Sequence, residues 1–158
     1  MQKIVFFESQ QTIDPASLIS EVEAGLLAEA ASISPKFLYD DLGAHLFTTI
    51  TFLPEYYPTA VETSILKQYK NEIATAVGKN PVLIDLGAGD CKKAARLFES
   101  IKPSSYVAID FSIDYLKEAL EKLQNQYADI PMYGIGMDFS RTLKLPDSIT
   151  QAPRTFFY

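Results

Sequence analysis

The sequence has a single cysteine, Cys91, and a single histidine, His45. One cysteine cannot close an intramolecular disulfide, so a reducing compartment fits best and a cytoplasmic protein is expected. One histidine, with no second histidine or cysteine at ligand spacing, makes no metal motif, and no metal is expected. His45 reads more simply as a surface residue on a helix. Positive charge is also scarce: 14 Lys and Arg face 20 Asp and Glu, for a formal charge of -6. That balance argues against nucleic acid or an anionic membrane as partner, since both need clustered cations. No stretch approaches the ~18 consecutive apolar residues of a membrane span. The opening residues MQKIVFFESQQTIDP lack a long apolar run and a small-residue cleavage site, so no leader is expected. A small molecule or a protein is the expected partner.

What is present is enough for one packed domain: 158 residues, 47% of them hydrophobic. Asp14-Pro15 starts a helix predicted to run to about residue 32, with Leu18, Val22, Leu26 and Leu27 on one face. Residues 35–41 (PKFLYDD) are predicted as loop, 43–50 as a short helix and 51–58 (TFLPEYYP) as a proline-stiffened loop. A long helix follows from Thr59 to about Val77, where Thr59 and Glu62 form a capping-box pattern. Past residue 80 the character changes. Val82–Leu86 is a short apolar run, Lys92–Ile101 is helical, and Tyr106–Asp110 is a second apolar run. Ser112 caps a helix to Tyr127, Pro131–Met137 makes a third strand, and Thr155–Tyr158 starts a fourth. Strands alternating with helices predict an α/β fold with a parallel sheet and right-handed crossovers. Residues 1–80 are expected to form a helical cap beside a sheet domain in 81–158.

The chemistry concentrates at strand ends. Val82–Leu86 runs into Gly87-Ala88-Gly89, and glycines there permit a sharp turn and close approach of a ligand. Ligands of open parallel sheets sit at the carboxyl ends of the strands. Asp110, ending the second strand, suits a ribose, whose two hydroxyls can donate to one carboxylate. The sixth position counted from Gly87 is Lys92, not glycine, which disfavours a dinucleotide. The Walker pattern is absent, which disfavours ATP hydrolysis. An acid two residues before the glycines (Asp85), with another ending the next strand, suits S-adenosylmethionine. A tight turn in an unrelated α/β protein would give the same glycines. Asp138-Phe139 after the third strand would face the adenine edge, or would be a loop acid beside a core phenylalanine. For Lys93, reach toward the carboxylate of the cofactor's methionine part and plain solvation on a helix fit equally well. Tyr39 and Tyr56-Tyr57 of the cap would suit a small polar substrate, although composition alone favours tyrosines at an interface. Cys91 is either a reactive thiol at a helix start or, more simply, a small residue filling a tight turn.

Taken in order, SPKFLYDD, ITFLPEYYPT, LIDLGAGDCKKAARLF, DFS at 110–112 and MDF at 137–139 resemble the histidine-specific methyltransferase family, from about Leu18 to Tyr158. The resemblance implies a Rossmann-like class I methyltransferase sheet, truncated here after its fourth strand, with the N-terminal helical cap. It implies that Gly87, Gly89, Lys93, Asp110, Asp138 and Phe139 bind S-adenosylmethionine and that Tyr39 and Tyr56 line an amino-acid pocket. It assigns no residue here as a general base. The implied reaction is methyl transfer to the α-amino nitrogen of an amino acid, histidine first among candidates, by in-line displacement in which positioning supplies most of the rate. Two residues depart from the family pattern: Ala60 stands where a basic residue is frequent, and Cys91 where serine or threonine is common. Family members also continue well past this length, so the chain alone is expected to be inactive and to self-associate through its shortened sheet. A non-catalytic module that holds the cofactor or docks to a protein is the alternative.

Overall fold

The computed structural model describes residues 3–8, 14–139, 143–149 and 152–158. Parts of the N-terminal stretch and of the polar connection after Phe139 lie outside these residues. Five parallel strands form one sheet: β1 (Val5–Glu8), β2 (Val82–Leu86), β3 (Ser105–Asp110), β4 (Met132–Gly136) and β5 (Arg154–Phe157). Their spatial order is β1-β4-β3-β2-β5. β2 and β3 lie at the centre and are buried almost throughout, which explains their unbroken apolar composition. Chain progression from β2 runs outward through β3 to β4, then returns to place β5 on the other flank of β2. The direction therefore switches at β2, the strand that feeds the glycine turn, and such a switch opens a crevice at the carboxyl edge.

Among the described residues six helices accompany the sheet: α1 (Pro15–Leu26), α2 (Asp41–Ile50), α3 (Pro58–Val77), α4 (Lys92–Ala95), α5 (Phe98–Ile101) and α6 (Ile113–Gln126), with a 3₁₀ turn at Pro35–Leu38. Both faces of the sheet carry core. On one, Leu83, Tyr106, Ala108 and Met132 pack with Phe98, Leu116, Leu120 and Leu123. On the other, Ile84, Val107, Ile109 and Ile135 pack with Ile149. α3 joins through Leu66, set against Leu97 and Ile101, with Phe157 of β5 alongside. No helix among the described residues is long and apolar enough to cross a membrane.

Several boundaries differ from expectation. Residues 5–8 belong to the sheet, not to a wholly helical first 80 residues: β1 pairs in parallel with β4, so the strand expected as the fourth is the fifth. The first helix ends at Leu26, where the chain folds back and Ser32 N–H donates to the Gly25 carbonyl. The segment expected as loop at 35–38 winds into the 3₁₀ turn. The capping box does not form. Pro58 opens α3, a position where its missing N–H costs nothing, and Thr59 lies inside the first turn with its carbonyl accepting from Thr63 Oγ1. The single helix expected over 92–101 is two short ones, because Leu97 N–H donates three residues back to Ala94 instead of four.

Candidate functional site

The turn after β2 is stitched to β3. The N–H groups of Gly87 and Ala88 both donate to the Ile109 carbonyl, at 2.9 and 3.0 Å. Gly87 (φ 71°) and Gly89 (φ 53°) hold the left-handed backbone that this turn needs. Among the described residues, a Cβ built at Gly89 would meet nothing within 4 Å, and one at Gly87 would meet only the Phe139 ring, at 3.8 Å. The turn thus presents bare backbone toward the sheet's carboxyl edge, with an aromatic ring from the end of β4 facing it.

Asp110 closes this turn. Its Oδ2 accepts from Gly89 N–H at 2.8 Å and its Oδ1 from Ser112 N–H at 3.1 Å. Each carboxylate oxygen keeps a second acceptor position, so the group can hold the turn and still receive donors from a ligand. Ser112 precedes α6, yet its hydroxyl does not cap that helix; it donates to Asp41 Oδ1 at the start of α2. Asp138, one strand further out, has a nearly buried side chain whose Oδ2 lies 3.8 Å from Lys36 Nζ. Phe139 also meets Tyr158 edge to face, with ring centroids 6.5 Å apart.

Beneath the turn, Asp85 is only 1% exposed. Its Oδ2 accepts from the Tyr106 hydroxyl at 2.7 Å, while Oδ1 has no protein partner among the described residues. Burial raises its pKa to about 6, against the opposing hydrogen bond from Tyr106 and the charge of Lys93; Asp110 and Glu62 push in the same direction as burial. Lys93 itself is partly buried, 3.5 Å from Glu62 Oε1 of α3 and 5.2 Å from the centre of the Phe157 ring. It is therefore not a fully solvated helix lysine. Cys91 is fully buried with φ 60°, and burial pushes its thiol well above the usual range, so it fills the turn as a small inert residue.

The cap reaches the same edge. Tyr39 and Tyr56 flank Phe47, with centroids 5.7 and 5.8 Å from it, which gathers both predicted substrate tyrosines into one aromatic group; Tyr57 points outward and is exposed. His45 is exposed and sits edge-on to Tyr115 of α6, whose hydroxyl is 2.6 Å from Thr48 Oγ1. Residues missed at the sequence level are those that dock the cap: Lys36, which also pairs with Glu21 at 2.7 Å, Asp41 and Ser112. Lys36 and Asp41 lie inside the PKFLYDD segment, but their partners are distant in sequence, so no local pattern exposes the pairing.

Comparison with known proteins identifies the family. The profile of a family described as histidine-specific methyltransferase, SAM-dependent, matches residues 18–158. The histidine N-alpha-methyltransferase of Mycolicibacterium smegmatis is 34% identical over 135 residues, 82% of this chain and 42% of that protein. Its namesake from Mycobacterium tuberculosis is 30% identical over 142 residues, 87% of this chain and 42% of that protein. Ergothioneine biosynthesis protein 1 of Neurospora crassa is 32% identical over 124 residues, 72% of this chain and 14% of that protein. The chain thus spans less than half the length of these relatives. With the family's profile matched over most of its residues, this chain belongs to the histidine-specific, S-adenosylmethionine-dependent methyltransferases.

Proposed function

We propose that this chain carries the S-adenosylmethionine-binding part of an N-methyltransferase acting on the α-amino nitrogen of an amino acid, histidine by preference. The carrying observation is the row of three adjacent strand ends: the open glycine turn after β2, Asp110 after β3 and Asp138-Phe139 after β4. Asp110 would accept from the ribose hydroxyls, Asp138 from the adenine amine, and Phe139 would pack on the base. The bare backbone at Gly87 and Gly89 would admit the part of the cofactor around its sulfonium. Asp85 Oδ1, buried and without a protein partner among the described residues, and the nearby cation of Lys93 form a dipolar pair that suits an amino-acid end. When bound, the cofactor supplies an electrophilic methyl on sulfur. The protein's part is to hold the attacking nitrogen in line with it, near contact and shielded from water. Tyr39 and Tyr56, gathered around Phe47, would form the cap's side of the amino-acid pocket.

The substrate assignment follows the relatives' names, and the cap (residues up to 80) is assigned to the substrate pocket alongside a cofactor domain in 81–158. A cytoplasmic, reducing setting suits the free thiol of Cys91. The test is a methyl-transfer assay with labelled cofactor and a panel of amino acids. The chain is assayed alone and fused to the remaining segment of the Mycolicibacterium smegmatis relative. The expected result is binding without turnover alone, and transfer to the α-nitrogen of histidine in the fusion. Transfer to another amino acid in preference to histidine would overturn the substrate assignment.

A further inference from the structure

Tyr39 stands on a short segment that is fastened at both ends. Before it, Lys36 on the 3₁₀ turn places its ammonium 2.7 Å from Glu21 Oε2 of α1 and 3.8 Å from Asp138 Oδ2. After it, Asp41 accepts the hydroxyl proton of Ser112. The two anchor points are not scattered over the sheet. Asp138 is one of the two acids assigned above to the cofactor, and Ser112 gives its N–H to the other, Asp110. The anchors therefore land at adjacent strand ends, β4 and β3, one on Asp138 itself and one on Ser112 beside Asp110. The Lys36 and Asp138 side chains are 19% and 9% exposed, which shields their attraction from the solvent screening that weakens surface pairs.

We propose that Lys36 and Asp41 are positioning residues that tie the Tyr39 segment to the cofactor-binding strand ends, so that occupancy of the cofactor site orders the amino-acid side of the pocket. The inference rests on the assignment of Asp110 and Asp138 to the cofactor. A carboxylate has about four acceptor positions, so Lys36 and an exocyclic amine share Asp138 without excluding one another. Each donor fixes the carboxylate in the orientation the other uses. Ser112 transmits in the same way: its N–H depends on Asp110 and its hydroxyl holds Asp41. Because coupling between sites is reciprocal, a segment ordered by the cofactor also tightens cofactor binding, and losing the link weakens it. A purely structural staple would lower stability when cut but would leave the cofactor's effect on the segment unchanged.

Amide hydrogen exchange of the full chain, with and without S-adenosylhomocysteine, separates these cases. In the wild type the ligand should slow exchange in peptides spanning 85–93 and in those spanning 34–43. In Lys36→Met and Asp41→Ala, which removes the acceptor for the Ser112 hydroxyl, it should still protect 85–93 but no longer protect 34–43, and affinity should fall about fivefold or more. Lys36→Arg, which keeps the charge, should restore protection of both. Unchanged exchange in the β2 and β3 peptides without ligand confirms that each variant is folded. Equal protection of 34–43 in the wild type and in both variants would overturn the proposal, as would protection confined to 85–93 in the wild type. An absence of protection anywhere in the wild type would defeat the cofactor assignment itself, and this inference with it.

Discussion

Asp85 is a carboxylate that folding removes almost entirely from water, and among the described residues its one hydrogen bond comes from Tyr106, which is itself buried. Its pKa rises from an ordinary 3.8 to about 6 because burial penalises the charged form more than Tyr106 and Lys93 favour it. Between those two values the folded chain holds the proton more tightly than the unfolded chain. Stability from this group is therefore present at low pH and is lost as pH rises through that window, by roughly 3 kcal/mol in all. Asp85→Asn keeps an acceptor for the Tyr106 hydroxyl and removes the charge. It is expected to be more stable than the parent at pH 7.5 by up to about 3 kcal/mol, with the advantage vanishing toward pH 4. Urea denaturation of both proteins from pH 4 to 8 measures this directly. A difference that did not change with pH would refute burial as the cause. The cost that Asp85 imposes makes sense if its free oxygen and Lys93 serve a ligand, since strained or poorly satisfied groups collect at functional sites.

At the scale of elements, the turn between β2 and α4 concentrates the unusual backbone: Gly87, Gly89 and Cys91 all have positive φ. At Gly87 a methyl group would meet Phe139 only at ordinary contact distance, so alanine there would suffer from backbone conformation and not from collision. Gly87→Ala is expected to lose roughly 1–2 kcal/mol of stability, and to weaken S-adenosylhomocysteine as the turn shifts. Thermal denaturation together with a ligand titration checks both parts; full stability with full affinity would mean that the turn does not depend on its left-handed geometry. The central strands and this turn were legible in the sequence because β2 and β3 are continuous apolar runs that end in glycine or acid. The break between α4 and α5 was not, since Ala94, Leu97, Phe98 and Ile101 keep helical spacing straight across it and are all buried. β1 was missed because VFFE is only four residues long and half exposed, and its place is fixed by pairing with β4 on the far side of the chain.

For the molecule as a whole, the sequence was informative about which residues end or follow the inner strands, as at Asp110 and Asp138. It was silent where the cap meets the sheet, as at Lys36 and Asp41. Among the described residues β5 pairs on one side only, with β2, and Phe156 is 52% exposed and Tyr158 83% exposed. Such an edge invites pairing, and self-association through β5 is the proposed response. Light scattering over a concentration series should show mass rising with concentration, and Phe156→Lys should suppress the rise; a constant monomer mass would reject the idea. The central claim is that three adjacent strand ends form one cofactor site. Calorimetric titration of the chain with S-adenosylhomocysteine, beside Asp110→Ala, tests it most directly. The account predicts saturable binding at one site that weakens by roughly 2–4 kcal/mol in the variant, through lost hydrogen bonds to a charged acceptor. Saturable binding of equal strength in both proteins would contradict it, as would no binding by a folded wild-type chain.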